Sequence, residues 1–250
     1  MYSSGGKQLN KIKEYVSITV LALVIGIFLS TCLSCAGHVL PKPKPPDQNA
    51  LIQTMIKRTG KIDVTCENAL PTSGTGFLLE SKGRRGIIVT ARHVVDNPPE
   101  EKCTWKIQVD GLSYQLFDIK HHDYLDISVA TIYTLRNYPR VSYTDVPLGT
   151  DVIAVGYPYD KLMNDTWHTV TKGVIAAHYA NRYRSTAQIY PGSSGGPIFD
   201  TYGNIVCIVS SAWLYEWKVP YDGMYYCTKA SHIDDILLQH PKIELVKPLE

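Results

Sequence analysis

A serine flanked by glycine and proline has the setting in this chain that most favours chemistry. Residues 191–197 read PGSSGGP, with Ser194 directly before two glycines. Glycine lets the backbone turn tightly and approach a substrate closely. A serine hydroxyl on such a turn can be a nucleophile in acyl transfer, while nearby backbone N–H groups stabilise the oxyanion that forms. Alone, the same pattern is also typical of a hairpin turn.

A histidine and an aspartate upstream supply the groups that a serine nucleophile requires. His93 follows the β-rich residues 87–91, and Asp126 precedes the β-rich residues 127–132. A nearby histidine can remove the serine proton, and a carboxylate can orient that histidine. Taken singly, His93 is more often a structural residue, and Asp126 is more often a polar residue at the start of a strand.

Together, in the order His, Asp, Ser, these residues resemble the catalytic triad of the trypsin-like (chymotrypsin-fold) serine proteases. Other segments in the same order are similar to the HtrA/Deg-type branch of that family, and the likeness extends over roughly residues 60–238. The similar segments are residues 73–79 (SGTGFLL), 152–158 (VIAVGYP), 169–175 (TVTKGVI) and 205–210 (IVCIVS).

The resemblance implies a role for each matching residue. Ser194 would be the nucleophile, His93 the general base, and Asp126 the group that holds the imidazole and stabilises its cation. The backbone N–H groups of Gly192 and Ser194 would form the oxyanion hole. This chemistry requires no cofactor and no metal. His121 and His122 also lie near Asp126 in sequence, but no partner pair with metal-ligand spacing accompanies them.

The resemblance also implies residues that contact the substrate. Gln188 would lie at the base of the primary specificity pocket, where a neutral amide offers no counter-ion to Arg or Lys. The strand ending at Ser210 would pair with substrate backbone. Tyr225 would stand where the trypsin pattern has glycine. These features predict a shallow pocket for small or medium uncharged side chains.

Some features depart from the family pattern. Arg92 replaces the small residue that usually precedes the catalytic histidine, and it is expected either to point outward or to contact substrate. Ser193 stands where Asp or Asn is common. No trypsin-type activation sequence precedes the first strand, which favours a site formed without zymogen cleavage. Few residues follow the predicted C-terminal helix, so the PDZ domain common in the HtrA branch is expected to be absent.

The elements that must position these residues are short β-rich segments, from about residue 51 to residue 239. Their spacing favours a sandwich or barrels over alternating α/β structure, and the resemblance implies an all-β fold of two six-stranded antiparallel β-barrels. No long helical periodicity precedes a short helix at residues 231–238, which Ser231 is expected to cap. The predicted strands are residues 61–66, 75–79, 86–90, 105–109, 127–131, 152–155, 170–175, 205–209 and 224–228.

Six cysteines divide into two groups by position. Cys66, Cys103, Cys207 and Cys227 lie in the predicted barrels, where an even number suggests disulfides in an oxidising compartment. Of three possible connectivities, we favour Cys66–Cys103 and Cys207–Cys227 because each bridge then stays within one barrel. Four buried thiols are the alternative. The other two, Cys32 and Cys35, belong to the N-terminal segment.

The N-terminal segment has the order of an export signal. Three lysines precede residues 16–33, which are apolar or small. As a helix, about 18 residues would span about 27 Å, near the thickness of a bilayer core. The cysteines at its end partly match a bacterial lipoprotein cleavage box. A lipid anchor, an uncleaved membrane helix and a cleaved signal peptide all fit, and the proline-rich residues 41–46 would act as a stiff spacer.

Composition excludes several other classes. The chain has 250 residues, 44% of them hydrophobic, which is too apolar for a disordered protein. Its net charge is +2, without the basic excess of a dedicated nucleic-acid binder. Three of the 25 basic and one of the 23 acidic residues lie in residues 1–35, which leaves 22 of each and a neutral remainder. The basic bias therefore belongs to the export segment.

The predicted organisation is an export or anchor segment at residues 1–35, a linker at 36–50, a trypsin-like protease domain at 51–240 and a tail at 241–250. The boundary between the two barrels is expected near residues 140–150. The predicted function is a membrane-tethered, extracytoplasmic serine endopeptidase acting on protein or peptide substrates. The alternatives are a surface-displayed peptide-binding module with a latent protease site, and an esterase with the same triad.

Overall fold

The chain is represented by a computed structural model that describes residues 46–67, 70–96, 102–160, 165–211 and 225–241. The predicted export segment and most of the linker lie outside these residues.

The helices are α1 (Gln48–Arg58), α2 (Arg92–Val95) and α3 (His232–Gln239). The strands of the first half are β1 (Thr59–Cys66), β2 (Thr72–Lys82), β3 (Arg85–Thr90), β4 (Cys103–Val109), β5 (Leu112–Gln115), β6 (Phe117–His121) and β7 (Ser128–Tyr133). Those of the second half are β8 (Asp151–Gly156), β9 (Tyr159–Asp160), β10 (Asp165–Thr166), β11 (Thr169–His178), β12 (Arg182–Ser185), β13 (Pro197–Asp200), β14 (Ile205–Ser211) and β15 (Tyr225–Lys229).

The first half forms a seven-stranded antiparallel sheet in the order β5-β4-β1-β2-β3-β7-β6. Its two outermost strands are consecutive in sequence and are separated only by Leu116, which is buried. The Leu116 N–H still donates to Trp105 in β4, 2.9 Å away, whereas β6 pairs with β7 at the opposite edge. The fifth of the expected six strands is therefore divided into β5 and β6, which lie at the two edges of a half-barrel rather than in a closed barrel.

The second half is a closed barrel in the order β11-β12-β15-β14-β13-β8. All its pairings are antiparallel. The six-stranded second barrel and the all-β fold class are thus confirmed. All nine predicted strands are present, and the strands without a counterpart in the sequence patterns are short.

Alternate residues of several strands face different hydrophobic clusters, because successive side chains of a strand point to opposite faces. In β2, Leu78 packs in the hydrophobic core of the first half, whereas Phe77 and Leu79 pack against residues of the second barrel. In β8, Val152 lies inside the second barrel and Ile153 faces the first half. The cluster between the two halves is apolar and fully buried at its centre, where the Phe77 and Phe199 rings meet edge to face at 5.3 Å.

Helix α1 contradicts the expectation that no long helix precedes Ser231. It begins after Asp47, whose side chain accepts a hydrogen bond from Asn49 N at 2.9 Å. Its buried Met55 joins the cluster between the two halves. The apolar residues 51, 52, 55 and 56 have helical spacing, but mostly polar residues surround them, which weakened this signal.

The C-terminal helix is confirmed, but its predicted cap is wrong. The Ser231 side chain makes no capping hydrogen bond, and its backbone already has helical angles, φ −56° and ψ −25°. A capping side chain ordinarily needs an extended residue at that position. Asp234 N instead donates to the Ser231 backbone carbonyl at 3.3 Å.

Both favoured disulfides are present, Cys66–Cys103 and Cys207–Cys227. The first joins directly opposite residues of β1 and β4, and the second joins β14 to β15. Each bridge stays within one half of the domain, as expected. No helix among the described residues is long and apolar enough to cross a bilayer.

Candidate active site

His93 lies on a single helical turn that follows β3. In this turn, α2, Val94 and Val95 are buried in the core of the first sheet. Because these neighbours anchor the turn on its inner side, His93 is directed outward, and 47% of its side chain is exposed. The sequence thus places an imidazole at the surface on a rigid support.

Asp126 meets this histidine through both carboxylate oxygens. Oδ2 lies 2.8 Å from His93 Nδ1, and Oδ1 lies 3.0 Å from the same nitrogen. Oδ1 also accepts the His93 backbone N–H at 2.9 Å. An ionised carboxylate can only accept hydrogen bonds, so Nδ1 carries the ring hydrogen in the neutral imidazole. Nε2 then keeps its lone pair and can act as a base.

The segment that carries Asp126 is fixed by buried flanking residues and by hydrogen bonds from Arg92. The flanking residues Leu125 and Ile127 are buried. Arg92 Nη1 donates to the carbonyl oxygens of His122 at 3.2 Å and Asp123 at 3.3 Å. The Arg92 side chain thus lies against the segment that precedes Asp126.

The serine segment is a tight turn at the start of β13. Gly192 and Gly195 have φ angles of +94° and +87°, which side chains other than glycine rarely adopt. The turn is closed by Ser193 N donating to Tyr190 O at 3.0 Å and Gly196 N donating to Ser193 O at 2.9 Å. Ser194 is half-buried at its apex. Among the described residues, nothing accepts a hydrogen bond from the N–H groups of Gly192 or Ser194.

The serine turn approaches the strand end that carries His93. A Cβ on Gly195 would lie within 3.0 Å of Thr90 Oγ1 and Ala91 N, which are three and two residues before His93. Thr75 of β2 also contacts the turn, because its N–H donates to Ser194 O at 2.8 Å. No hydrogen bond joins Ser194 Oγ to His93 within the described part of the chain, and in unliganded enzymes this bond is often long.

The expected substrate-contacting residues lie in three different settings. Gln188 is exposed, and its backbone carbonyl accepts a hydrogen bond from Thr171 Oγ1 at 2.7 Å. Ser210 is buried near the end of β14, at a register shift opposite β15. Tyr225 is buried in the core of the second barrel. A cavity of about 450 Å³ next to the serine turn is lined by Lys61, Asp63, Pro71, Thr72, Ser73, Pro191 and Gly192.

Three groups near Asp126 could converge on a metal ion, namely His122, His232 and Asp235. His122 Nδ1 accepts the N–H groups of Tyr124 at 3.2 Å and Leu125 at 3.3 Å, so its hydrogen is on Nε2. That N–H faces Asp235 Oδ2 at 3.6 Å. A metal at Nε2 would have to displace this hydrogen, so the cluster is better described as two histidines that flank one carboxylate.

The other histidine of this segment, His121, is half-buried, and burial lowers its pKa. Its Nδ1 lies 2.7 Å from Ser128 Oγ. The His121 ring therefore pairs with Ser128 of β7.

Comparison with known proteins agrees with this geometry. Residues 74–208 match the family described as the trypsin-like peptidase domain. The chain belongs to this family. The match spans more than half of the chain and includes His93, Asp126 and Ser194. The resemblance to trypsin-like proteases is thereby confirmed.

Relatives of this trypsin-like domain are bacterial serine proteases. It is 30% identical over 150 residues to a probable periplasmic serine endoprotease DegP-like of Buchnera aphidicola, covering 54% of this chain and 30% of the relative. It is 28% identical over 156 residues to serine protease Do-like HtrA of Bacillus subtilis, covering 55% and 33%. It is 26% identical over 148 residues to periplasmic serine endoprotease DegP of Escherichia coli K12, covering 54% and 29%. The matches thus span about a third of the length of these relatives.

The fold of the trypsin-like domain also matches a solved structure. A serine endoprotease from Yersinia pestis superposes with a TM-score of 0.62 at 20% sequence identity. The match covers 78% of this chain and 67% of that protein. At this level of identity the similarity shows the fold, which agrees with the two halves described above.

Proposed function

We propose that this trypsin-like domain is a serine endopeptidase of the HtrA/Deg type that cleaves peptide bonds through an acyl-enzyme. The observation that carries the proposal is the His93–Asp126 pair, 2.8 Å apart, beside a glycine-bounded serine turn. Its relatives named as serine proteases support the same conclusion. Membership of the family alone would not support this conclusion, because proteins that share a fold can differ in activity.

In the proposed reaction, Ser194 Oγ attacks the substrate carbonyl carbon as its proton moves to His93 Nε2. The new imidazolium cation is stabilised by Asp126, which already accepts from Nδ1. The tetrahedral oxyanion accepts hydrogen bonds from the N–H groups of Gly192 and Ser194, which have no acceptor among the described residues. His93 then gives its proton to the leaving amine, and water hydrolyses the acyl-enzyme by the same steps in reverse.

We propose that substrates bind as extended backbone along β14, near Ser210. Gln188 would face the primary side chain without charge, and Tyr225 would limit the depth of the pocket from within the second barrel. Cleavage should follow small or medium uncharged residues. Profiling with a peptide library checks this specificity, and a predominance of cleavage after Arg or Lys would contradict it.

We propose that the protein is exported and held at a membrane by residues 1–35, with residues 36–50 as spacer, 51–240 as catalytic domain and 241–250 as tail. The support is the lysine-then-apolar order of the N-terminus, the two disulfides, and relatives named as periplasmic. Mass spectrometry of the mature N-terminus distinguishes a lipid, an uncleaved helix and a cleaved signal.

The activity is tested with a fluorophosphonate probe, which reacts with activated serines, and with fluorescent casein as substrate. Wild type should be labelled at Ser194 and should digest casein, whereas Ser194→Ala should lose labelling and lower turnover by about 10⁶-fold. Ser193→Ala, one residue away, is the control for damage to the turn and should still be labelled.

Absence of labelling in a folded wild-type protein would reject the proposal in favour of a peptide-binding module with a latent site. Labelling without casein or peptide cleavage, together with hydrolysis of ester substrates, would favour an esterase. A substrate-trapping pull-down with Ser194→Ala would then identify the physiological protein substrates.

A further inference from the structure

Thr75 is a buried polar residue on the face of β2 that continues with apolar side chains. It shares the parity of Phe77 and Leu79 in β2, whose side chains pack into the cluster between the two halves. Thr75 is fully buried. Its side chain therefore points toward the second half, at the place where the serine turn lies.

Every hydrogen-bonding group of Thr75 has a partner, and most of these partners belong to the other half. The hydroxyl donates to Gly192 O at 2.8 Å, and the backbone N–H donates to Ser194 O at 2.8 Å. The hydroxyl oxygen in turn accepts Tyr157 N–H at 2.9 Å. The Thr75 carbonyl accepts Thr90 Oγ1 at 2.7 Å, within the first half.

The two carbonyls held by Thr75 belong to Gly192 and Ser194, the residues whose N–H groups are the proposed oxyanion donors. In a turn whose dihedral angles are fixed, the direction of each residue's carbonyl restricts the direction of its N–H. Glycine at position 192 has no side chain that would otherwise limit its rotation. A hydrogen bond from another residue to the Gly192 carbonyl therefore limits the rotation of this backbone and the direction of its N–H.

We propose that Thr75 is a positioning residue that keeps the oxyanion hole assembled from the opposite half of the domain. This inference rests on the proposed peptidase function. The Thr75 hydroxyl oxygen accepts the hydrogen bond from Tyr157 N–H, which orients the hydroxyl hydrogen toward Gly192 O. Serine retains both bonds, whereas valine, which has the same shape, loses both and leaves two polar groups unpaired.

The test compares the rate of fluorophosphonate labelling across a pH series for the full-length wild type, Thr75→Val and Thr75→Ser. The matched control is Thr59→Val, because Thr59 is equally buried and its hydroxyl donates to Met55 O at 2.9 Å, away from the serine turn. Urea unfolding of each variant reports the loss of stability that follows removal of a buried hydroxyl.

Thr75→Val should be labelled about 10- to 100-fold more slowly, less than the 10²- to 10³-fold typical when an oxyanion donor is removed outright. The pH–rate profile should keep its midpoint, because the His93–Asp126 pair is untouched. Thr75→Ser should be labelled within about threefold of wild type, and Thr59→Val should match wild type although it also loses a buried hydroxyl.

The inference is overturned if Thr75→Val slows labelling no more than Thr59→Val, or if Thr75→Ser is as slow as Thr75→Val. Should Thr75→Val fail to fold, Thr75→Ala removes the hydroxyl without adding a second methyl group, and the same criteria apply to it. Absence of labelling in the wild type would instead reject the peptidase function, and this inference with it.

Discussion

The two parts of the candidate site are held together in different ways. His93 and Asp126 both belong to the first half of the domain, and their side chains bond directly to each other. The turn that carries Ser194 belongs to the second half and is held by backbone hydrogen bonds, among them Ser193 N to Tyr190 O and Gly196 N to Ser193 O. The base is thus fixed by side-chain chemistry and the nucleophile by backbone conformation.

This difference indicates which substitutions each part tolerates. A side-chain pair is lost when either partner changes its hydrogen-bonding capacity, whereas a backbone turn is lost when a residue cannot adopt its angles. The contact between Thr75 and the serine turn joins the two parts, and the apolar cluster between the halves keeps that contact in register.

Among substitutions that keep Ser194 itself, the largest effect is expected at Asp126, the partner of the base. Asp126→Asn can still accept the His93 backbone N–H but offers an amide N–H toward Nδ1, which favours the wrong tautomer. We expect labelling by the fluorophosphonate to slow by about 10⁴-fold. Asp118→Asn is the control, since Asp118 is an exposed carboxylate of the same half, paired with Arg85 at 2.9 Å. A small effect at Asp126 would show that the base does not depend on this pair.

An intermediate effect is expected at Gly195, in the serine turn. Gly195→Ala adds a Cβ within 3.0 Å of the Thr75 carbonyl oxygen and Thr90 Oγ1, at a φ of +87°. We expect labelling to slow by about 10²-fold, since displaced reacting groups typically cost this much.

Gly111→Ala is the control for backbone strain at Gly195. Gly111 has a φ of +73°, but nothing lies within 4 Å of the added Cβ. It should lose about 1–2 kcal/mol of unfolding free energy and keep the wild-type labelling rate. Equal labelling rates for the two alanine variants would show that the turn adapts to a side chain.

The smallest effect is expected at Arg92, which supports the base indirectly. Arg92→Ala removes the donors to the carbonyls of His122 and Asp123 and an exposed ion pair with Asp96. We expect labelling to slow about threefold and unfolding free energy to fall by about 0.5–1 kcal/mol. With peptide substrates, kcat should fall and KM should stay constant. A rise in KM that varies with the peptide would indicate substrate contact instead.

Sequence patterns predicted the strands and the two disulfides because these depend on local β-propensity and on the family likeness. They did not predict Thr75, because its hydroxyl bonds to a residue 117 positions away in sequence. They left Arg92 with two orientations, since the segment that accepts its hydrogen bonds is defined only once β6 and β7 pair. Helix α1 was missed because its apolar residues are few and stand among mostly polar ones, although their spacing is helical.

The two disulfides differ in their access to solvent. Cys66 and Cys103 are half-buried at the end of a strand pair, whereas Cys207 and Cys227 are fully buried in the second barrel. Thiol exchange requires that a thiolate reach the bridge. A mild reductant would therefore reduce Cys66–Cys103 and spare Cys207–Cys227, so that redox conditions would act on the half that carries the base before the half that carries the nucleophile.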